Sequence, residues 1–303
     1  MKIKLLDTFA WVGGFHLALE QSIWKENVEC VGFSEIDKFA KKVYSERFPN
    51  SKDLWSITDI DIDNLEDFDL LTGWFPCQDV SVAWKQSLEG GRTILVEYLL
   101  QILEKKQPKY FVFENVKGLM NKKFTDFRES IFDRIEQAWY DFHYKILNTK
   151  DFGLPQNRER VFIVWVNTLN NYWLEQSCWT FPKWKELTTF LKDILEEEVD
   201  EKYYMNEKQI AGVNKSNYMD RKPYNINKSH IGTLKIGGDV KRIEYNEKTW
   251  RYVTPTEYAR LQWFPDNWST DYVSNSQAYK QMWNAISVPV VKAIFDNLLL
   301  GIE

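Results

Sequence analysis

The sequence predicts an α/β fold built on a doubly wound sheet, and three features of its amino-terminal half carry that prediction. Apolar, strand-like segments alternate with segments of helical periodicity, a glycine turn follows the first strand, and an acidic residue follows the second. In sheets of this kind, ligands bind at the carboxyl ends of the strands. We therefore expect a binding crevice along that edge.

The first two strands predict a nucleotide-type site. A strand over residues 2–10 is followed by the turn Gly13-Gly14 and by a helix over residues 15–23. The second strand, residues 29–34, is followed by Glu35, where an acidic side chain can accept hydrogen bonds from ribose hydroxyls. An ordinary strand-turn-helix with a solvent-exposed glutamate is the alternative interpretation.

Further elements continue the alternation. Strands are predicted over residues 68–72, 110–113 and 160–164, and helices over residues 95–105, 127–138 and 277–299. Glu35, Cys77 and Glu114 each come just after a predicted strand. Three chemically distinct groups, far apart in the sequence, are therefore expected to face one crevice.

Length and composition set the class of protein. A chain of 303 residues with 44% hydrophobic content is long enough for one large domain and a smaller one. No apolar run approaches the ~20 residues of a membrane span. The net charge of −5 argues against a generally basic nucleic-acid-binding surface and leaves room for a local basic cleft.

The cysteines point to one candidate nucleophile. No two of Cys30, Cys77 and Cys178 have metal-ligand spacing. We therefore expect no bound metal. Because the chain starts without a signal peptide, we also expect reduced thiols and a cytoplasmic location. Cys77, in the segment Phe75-Pro76-Cys77-Gln78, follows a buried-looking strand and is the candidate nucleophile. A small, inert core residue is the alternative.

Six motifs follow one another along the chain. They are Asp7-Thr8-Phe9-Ala10-Trp11-Val12-Gly13-Gly14-Phe15, Phe75-Pro76-Cys77-Gln78, Glu114-Asn115-Val116, Gln156-Asn157-Arg158-Glu159-Arg160, Thr254-Pro255-Thr256-Glu257-Tyr258-Ala259-Arg260-Leu261-Gln262 and Gln281-Met282-Trp283-Asn284. With these motifs in this order, the chain resembles the C5-cytosine DNA methyltransferases over nearly all of its length except about residues 170–245. The first motif resembles that family's S-adenosylmethionine loop, and the second resembles its nucleophile loop.

The resemblance implies a Rossmann-like, S-adenosylmethionine-dependent methyltransferase sheet with a smaller, loop-rich target-recognition domain. Residues 1–167 plus 266–303 would form a discontinuous catalytic and cofactor-binding domain, and residues 168–265 the target-recognition domain. The implied partners are double-stranded DNA and a cognate restriction endonuclease that acts separately. We expect a monomer that binds no membrane.

The implied reaction methylates C5 of cytosine. Because C5 is a weak nucleophile, the Cys77 thiolate would first add to C6. Glu114 matches the family residue that supplies a proton or a strong hydrogen bond at N3, and Arg160 the residue that contacts O2. Arg158 joins them in the predicted catalytic set. Since C6 is inaccessible in stacked DNA, the target base is expected to be flipped out of the duplex.

Cofactor and DNA contacts are also implied. The cofactor residues are Phe9, Trp11, Gly13, Gly14, Phe15, Glu35, Ile36, Ser56, Ile57, Pro76 and Asn284. The DNA contacts are Gln78, Ser81, Arg92, Thr233, Gly237 and Gly238, and basic side chains such as Lys222 and Lys241 could contact phosphates. Ser56 stands where the family often has aspartate, which weakens one contact, and Thr256 stands where arginine is usual.

Two other functions fit the same residues. One is a non-catalytic DNA-binding relative in which Trp11 and Trp74 block the cofactor, and cofactor binding distinguishes it. The other is methylation of a structured RNA cytosine, which an assay on tRNA against duplex DNA distinguishes. The long variable segment between Arg160 and Thr254 favours a reader of duplex DNA.

Tryptophan is unusually frequent, with 14 Trp against 13 Gly, where about 7% glycine, roughly 21 residues, is usual. Eight stand where the family has glycine or where glycine would fit better: Trp11, Trp55, Trp74, Trp84, Trp139, Trp165, Trp263 and Trp283. Overpacking costs ~1–3 kcal/mol per site, so eight indoles would exhaust a stability of about 5–15 kcal/mol. We hypothesise that these codons are UGA, used for glycine but translated here as tryptophan. Genuine tryptophans in a degenerate relative are the alternative.

Overall fold

The structure is a computed structural model, and it describes residues 2–75, 94–138, 140–166, 179–183, 187, 189–215, 222–227, 230–234, 240–246 and 249–299. The chain divides into two compact units. Unit 1 comprises Met1–Leu147, Glu159–Lys183 and Val290–Glu303, and unit 2 comprises Asn148–Arg158 and Trp184–Pro289.

The limits of the units differ from the predicted domain limits. Residues 148–158 and 266–289, which the sequence placed in the catalytic domain, belong to unit 2. Which unit reads DNA and which carries catalysis stays a prediction.

The described elements continue the predicted alternation of strands and helices. The strands are β1 (Ile3–Thr8), β2 (Val28–Ser34), β3 (Leu70–Trp74), β4 (Tyr110–Val116), β5 (Phe142–Asn148), β6 (Gln156–Asn157), β7 (Glu159–Val166), β8 (Tyr224–Asn225), β9 (Ile231–Gly232), β10 (Arg242–Asn246) and β11 (Thr249–Tyr252). The α-helices are α1 (Gly14–Ile23), α2 (Lys38–Arg47), α3 (Ile94–Lys106), α4 (Thr125–Gln137), α5 (Glu207–Lys215), α6 (Pro255–Arg260), α7 (Asn275–Asn284) and α8 (Val288–Leu298).

Unit 1 is built on a six-stranded sheet in the order β2-β1-β3-β4-β7-β5. Strand β1 pairs in parallel with β2 and β3, and β3 pairs in parallel with β4. Strand β7 is antiparallel to β4. The α/β fold class is confirmed, and the sheet is mixed rather than wholly parallel.

The central strands are apolar because both faces of the sheet are covered. In β4, residues Tyr110 to Asn115 are all buried. One core cluster joins Leu71 and Phe113 of the sheet to Leu99 of α3 and Ile135 of α4. Burial on both faces holds the carboxyl ends of the strands rigidly in one row.

The predicted helix over residues 277–299 is two helices, so that prediction was wrong. Helix α7 ends at Asn284 and α8 begins at Val288, with Pro289 in its first turn. Proline has no amide hydrogen and favours the first turn of a helix, so it starts α8 instead of continuing α7. In α8, Asp296 accepts a hydrogen bond from Ser22 of α1 (2.8 Å), within unit 1.

Unit 2 contains the antiparallel pair β10–β11, with β8 parallel to β10, and the short parallel pair β6–β9. Arg251 of β11 forms a fully buried ion pair with Glu257 of α6, with Arg251 Nη2 2.6 Å from Glu257 Oε1. Glu257 also completes a capping box with Thr254 at the start of α6. One carboxylate thus ties the sheet to the first turn of a helix.

No helix in the described part of the chain combines the length and apolar character that a bilayer crossing requires. Within the same ranges, no group of three or more His, Cys, Asp or Glu side chains is arranged to hold a metal ion.

Candidate active site

The carboxyl ends of four strands meet at one edge of the sheet in unit 1. Thr8 of β1 pairs with Ser34 of β2 and with Gly73 of β3, and Trp74 of β3 pairs with Glu114 of β4. One residue further along, Glu35 and Phe9 therefore follow the same row. The register alone brings candidate residues from separate parts of the chain together.

A cavity of about 300 Å³ opens at this edge. Six predicted cofactor residues line it: Phe9, Trp11, Glu35, Ile36, Ser56 and Ile57. The described lining residues that were not predicted for this role are Ser34, Asp37, Trp74 and Leu95. The mixture of one buried acid, small polar groups and apolar walls suits a ligand with both polar and apolar parts.

Glu35 is the buried acid of this cavity. Its Oε2 accepts a hydrogen bond from the Trp11 amide (3.0 Å), and its Oε1 accepts one from the Asp37 amide (2.7 Å). Burial raises the pKa of Glu35, and the amide donors of Asp37, Trp11 and Ile36 oppose that rise. The carboxylate is fixed in place by main chain from two loops, which leaves its remaining lone pairs for a ligand.

Asp37 and Ser56 each cap a helix beside the cavity. Asp37 Oδ1 accepts from the amides of Phe39 and Ala40 at the start of α2. Ser56 Oγ accepts from the Thr58 amide, and the Ser34 hydroxyl donates to the Trp55 carbonyl (2.9 Å). These caps set the path of both loops. An aspartate directly before a helical segment is an N-cap signal, and it could have identified Asp37, which the sequence analysis missed.

The glycine turn after β1 needs glycine at one position. Gly13 has φ +82°, and a Cβ built on it would lie 2.4 Å from the Phe48 ring, so no side chain fits there. Gly14 and Phe15 begin α1 and are buried. Gly13, Gly14 and Phe15 shape the loop, and they are not among the described residues that line the cavity.

Glu114 and Arg160 form an ion pair beyond the cavity along the same edge. Glu114 Oε1 lies 3.0 Å from Arg160 Nε, and the Glu114 side chain is 8% exposed. Glu114 lies inside β4, not after it as predicted, because the strand continues to Val116. Since β7 runs antiparallel, its first residues reach the edge at which β4 ends, and Arg160 pairs with Val116.

Asn115 was missed as a site residue by the sequence analysis. Its buried Nδ2 donates to the carbonyl of Phe75 (2.9 Å), and its Oδ1 accepts from the Val116 amide (2.8 Å). Phe75 is the last described residue before the proposed nucleophile loop. The amide therefore fixes the point at which that loop leaves the sheet.

Several predicted residues cannot be placed. Those outside the described residues are Pro76, Cys77, Gln78, Ser81, Arg92, Gly237 and Gly238, and also Trp84 and Trp139. Their roles stay predictions.

The remaining candidates belong to unit 2, and most of their side chains donate hydrogen bonds to backbone carbonyls there. The buried Arg158 donates to the carbonyls of Trp283 (3.0 Å) and Ala285 (2.7 Å). Thr233 donates to the Asn157 carbonyl, and Asn284 Nδ2 donates to the Lys280 carbonyl. Lys241 is buried, so it is poorly placed for a phosphate contact. Arg158 is suited to bracing the chain after α7.

A buried polar network lies at the end of β1. Asp7 Oδ1 accepts from the Thr72 hydroxyl (2.8 Å), and Asp7 Oδ2 accepts from the Tyr44 hydroxyl (3.3 Å). Tyr44 is also 3.0 Å from His16 Nδ1. Burial raises the pKa of Asp7 to about 7 and lowers that of His16 to about 3. Both groups are therefore neutral over much of the acidic range.

Comparison with known proteins extends these findings. Residues 3–299 match the family described as C-5 cytosine-specific DNA methylase. The chain is 35% identical to the Type II methyltransferase M1.ScrFI of Lactococcus lactis subsp. cremoris, covering 100% of this chain and 79% of the relative. It is 34% identical to the Type II methyltransferase M.NlaX of Neisseria lactamica, covering 97% and 96%. The structure of the Entamoeba histolytica methyltransferase EhMeth aligns with a TM-score of 0.82 at 19% identity, covering 100% and 99%, and shows the shared fold.

Proposed function

Because the chain belongs to the C-5 cytosine-specific DNA methylase family, it methylates cytosine C5 in DNA, and we propose that it does so within one specific duplex sequence through a covalent adduct between Cys77 and C6. S-adenosylmethionine is the methyl donor of this family. The observation that carries the proposal is the row formed by Glu35, Phe9, Trp74 and Glu114 along one edge of the sheet. Neither the inactive nor the RNA-directed alternative gains support from the relatives.

The cavity beside Glu35 suits S-adenosylmethionine. A buried carboxylate on one wall is a fitting acceptor for ribose hydroxyls, and Ile57, Leu95 and Phe9 offer an apolar surface for a purine ring. When bound, the donor supplies an electrophilic methyl group on a sulfonium. Trp11 and Trp74 narrow the cavity, and the Trp74 indole lies 6.4 Å from the Phe9 ring, centroid to centroid.

The reaction follows from the chemistry of the proposed residues. The Cys77 thiolate adds to C6 of a flipped cytosine, and Glu114 in its protonated form donates its O–H to N3 as electron density moves there. C5 then forms its bond to the methyl group as the bond between that methyl group and the sulfonium sulfur breaks, and the product S-adenosylhomocysteine leaves. Loss of the C5 proton to a base and departure of the thiolate restore the aromatic ring. The contact of Glu114 Oε1 with Arg160 Nε orients the Glu114 carboxyl group so that its other oxygen can carry the proton donated to N3, and it keeps the guanidinium near O2.

Arg158 takes a positioning role in this scheme. Its guanidinium donates to the Trp283 and Ala285 carbonyls, so it braces the segment that contains Asn284. We propose further that the protein is a cytoplasmic monomer, that it contacts DNA through Gln78, Ser81, Arg92, Thr233, Gly237 and Gly238, and that a separate restriction endonuclease shares its target.

Methyl transfer from labelled S-adenosylmethionine to duplex DNA tests the proposal, with Cys77→Ala as the disabling variant. The matched control is Cys30→Ala. Burial raises the pKa of the Cys30 thiol to about 11, so it is not a thiolate at neutral pH. We expect the first variant to be inactive and the second to keep its rate within about twofold. Full activity of Cys77→Ala would refute the covalent mechanism.

Duplexes carrying 5-fluorocytosine provide an independent readout. Fluorine at C5 cannot leave as a cation, so the adduct cannot resolve and a covalent protein–DNA complex should accumulate. That complex should survive denaturing electrophoresis for the parent chain and for Cys30→Ala, and be missing for Cys77→Ala. Transfer of the labelled methyl group to tRNA but not to duplex DNA would refute the proposal that the substrate is DNA.

A further inference from the structure

The backbone separates the tryptophans of this chain into two groups. Seven non-glycine residues in the described ranges have positive φ, and four of them are tryptophan: Trp11 (+51°), Trp24 (+68°), Trp55 (+60°) and Trp263 (+68°). Tryptophan supplies only 14 of 303 residues. Positive φ brings Cβ against the main chain, and for a bulky residue it is a true outlier, whereas glycine adopts it freely.

Trp263 stands directly after the last turn of α6, at the left-handed C-cap position that is usually glycine. At the end of α6 its amide donates to the Arg260 carbonyl, and the next amide, that of Phe264, donates to the Ala259 carbonyl, both at 3.0 Å. These two bonds define the Schellman motif, whose left-handed residue is usually glycine. Trp263 is 50% exposed, so its indole is only partly packed and offsets little of the backbone strain.

Trp24, like Trp263, combines a positive φ with an exposed side chain. The sequence alone did not identify it. It follows α1 directly, with φ +68° and ψ +141°, close to a region that essentially only glycine populates. Its side chain is 73% exposed. A large apolar side chain that is strained and also left in water gains little from either backbone or burial.

Trp55 and Trp11 lie in the loops around the cavity. The Trp55 side chain is 59% exposed, while its amide donates to Asp53 and its carbonyl accepts from Ser34. Trp11 donates its amide to Glu35 and its side chain lines the cavity. The Trp55 indole also lies beneath Lys41 Nζ, 3.1 Å from the ring centroid, an exposed cation–π contact that glycine and alanine would lose alike. In both loops the hydrogen bonds that fix the main chain come from backbone atoms, which glycine would keep.

Other tryptophans behave as genuine ones. Trp250 is buried in β11, and its Nε1 donates to Glu244 (3.0 Å). Trp165 is fully buried and packs edge-on against Tyr140, with ring centroids 4.8 Å apart, although its Nε1 has no hydrogen-bond partner among the described residues. Neither has positive φ. Removing either indole would open a cavity in a packed core.

We infer that positions 11, 24, 55 and 263 carry glycine in the protein as its own cell makes it, because UGA codons at these four positions are decoded there as glycine. The inference rests on backbone angles and exposure, and it is independent of the proposed reaction. It adds Trp24 to the substituted positions and does not extend to Trp165. In the native protein the wall of the cavity beside Phe9 would then lack the Trp11 indole.

Paired substitutions test the inference without cofactor or DNA. Full-length chains carrying Trp24→Gly and Trp24→Ala, and the same pairs at 55 and 263, are compared by thermal unfolding. Both changes remove the indole, but only glycine relieves the strained φ. We expect the glycine variant to unfold about 2–4 °C above the alanine variant at each position. At Trp250 the order should reverse, because glycine weakens a strand more than alanine does.

Alanine equal to or better than glycine at 24, 55 and 263 would overturn the inference. Should the parent chain fail to fold, the glycine and alanine variants at one position are compared in a chain that carries glycine at the other three. The gene gives a direct check, since the four codons should be UGA while that of Trp250 is UGG. UGG codons at all four positions would refute the inference. Absence of methyl transfer in a folded chain that carries glycine at all four positions would refute the proposed function and leave this result standing.

Discussion

Glu114 Oε1 and Arg160 Nε lie 3.0 Å apart, on neighbouring antiparallel strands, with side chains only 8% and 18% exposed. The pair exists because β7 runs against β4 and so begins at the edge where β4 ends. Two groups with complementary charge are therefore held side by side before any ligand arrives. Such preorganisation is what makes a hydrogen bond effective at a developing charge.

Glu114→Gln should lower the rate of methyl transfer by about 10²–10⁴-fold, because an amide cannot transfer a proton to N3 as a carboxylic acid can. Steady-state rates with labelled S-adenosylmethionine measure the effect. Glu159→Gln, which disrupts the exposed pair with Lys117, is the matched control and should stay within about twofold. Equal rates for the two variants would remove Glu114 from the mechanism.

Asn115→Ala should impair both folding and catalysis. The variant leaves the Phe75 carbonyl without its buried donor, which costs about 1–3 kcal/mol of unfolding free energy. It also loosens the start of the proposed nucleophile loop, so we expect kcat to fall by about tenfold or more. Urea unfolding and initial rates measure the two effects. Asn121→Ala, at an exposed turn, should change neither, and an unaltered kcat in Asn115→Ala would argue against the positioning role.

Glu35→Gln should weaken S-adenosylmethionine binding by about 10–100-fold, since hydrogen bonds to a charged acceptor contribute about 1.5–3 kcal/mol. The amide of the new side chain would also face the backbone donors of Trp11 and Asp37. Calorimetric titration of the cofactor measures the change. Glu26→Gln, at an exposed turn, serves as the control, and an unchanged Kd for Glu35→Gln would exclude Glu35 from the site.

Arg251→Leu should be severely destabilising. It strands the fully buried Glu257 carboxylate, at a cost of about 3–5 kcal/mol. Arg260→Leu breaks a partly exposed pair with Asp266 and a hydrogen bond to the Ile194 carbonyl, and should cost less, about 1–2 kcal/mol. Chemical denaturation compares the two, and the Arg251→Leu/Glu257→Leu double variant should regain part of the loss. Equal effects of the two single changes would show that burial of the pair is unimportant.

Asp7→Asn should change how stability depends on pH. The pKa of Asp7 is raised from 3.8 to about 7, so between these values the folded state keeps a proton that the unfolded state has lost. Parent stability from this group falls by about 1.4 kcal/mol per pH unit in that window, and asparagine removes the slope. The pKa of His16, lowered from 6.5 to about 3, has the opposite effect, with stability rising over that range. Unfolding free energies at pH 4.5, 5.5 and 6.5 should show the variant gaining on the parent as pH rises; a constant difference would contradict the assignment.

Sequence reasoning was most successful where a single strand decides the outcome. The row that holds Phe9 and Glu35 was predictable because β1 and β2 are apolar and end in turn or polar residues. The direction of β7 was not, since periodicity carries no information on whether neighbouring strands run parallel. That direction places Arg160 beside Glu114, and it also explains why Glu114 lies within a strand.

Other features needed tertiary contacts to become visible. Nothing local distinguishes Asn115 from any strand residue until Phe75 is seen to accept from it. Arg158 resembled a catalytic arginine by motif, while its partners, two backbone carbonyls, lie more than a hundred residues away in sequence. Trp24 matched no motif, and only its backbone angles reveal the strain.

The two units alternate along the polypeptide, so the chain passes between them four times, the last passage lying between Pro289 and Val290. The final segment brings Asp296 to Ser22. During synthesis the amino-terminal segment of unit 1 must wait for the carboxyl-terminal helix to leave the ribosome before this contact can form. A translation product that stops before residue 290 would therefore lack the last segment of unit 1, the unit whose synthesis began first. Because each unit is made of separate segments of the chain, neither can be expressed as one uninterrupted fragment.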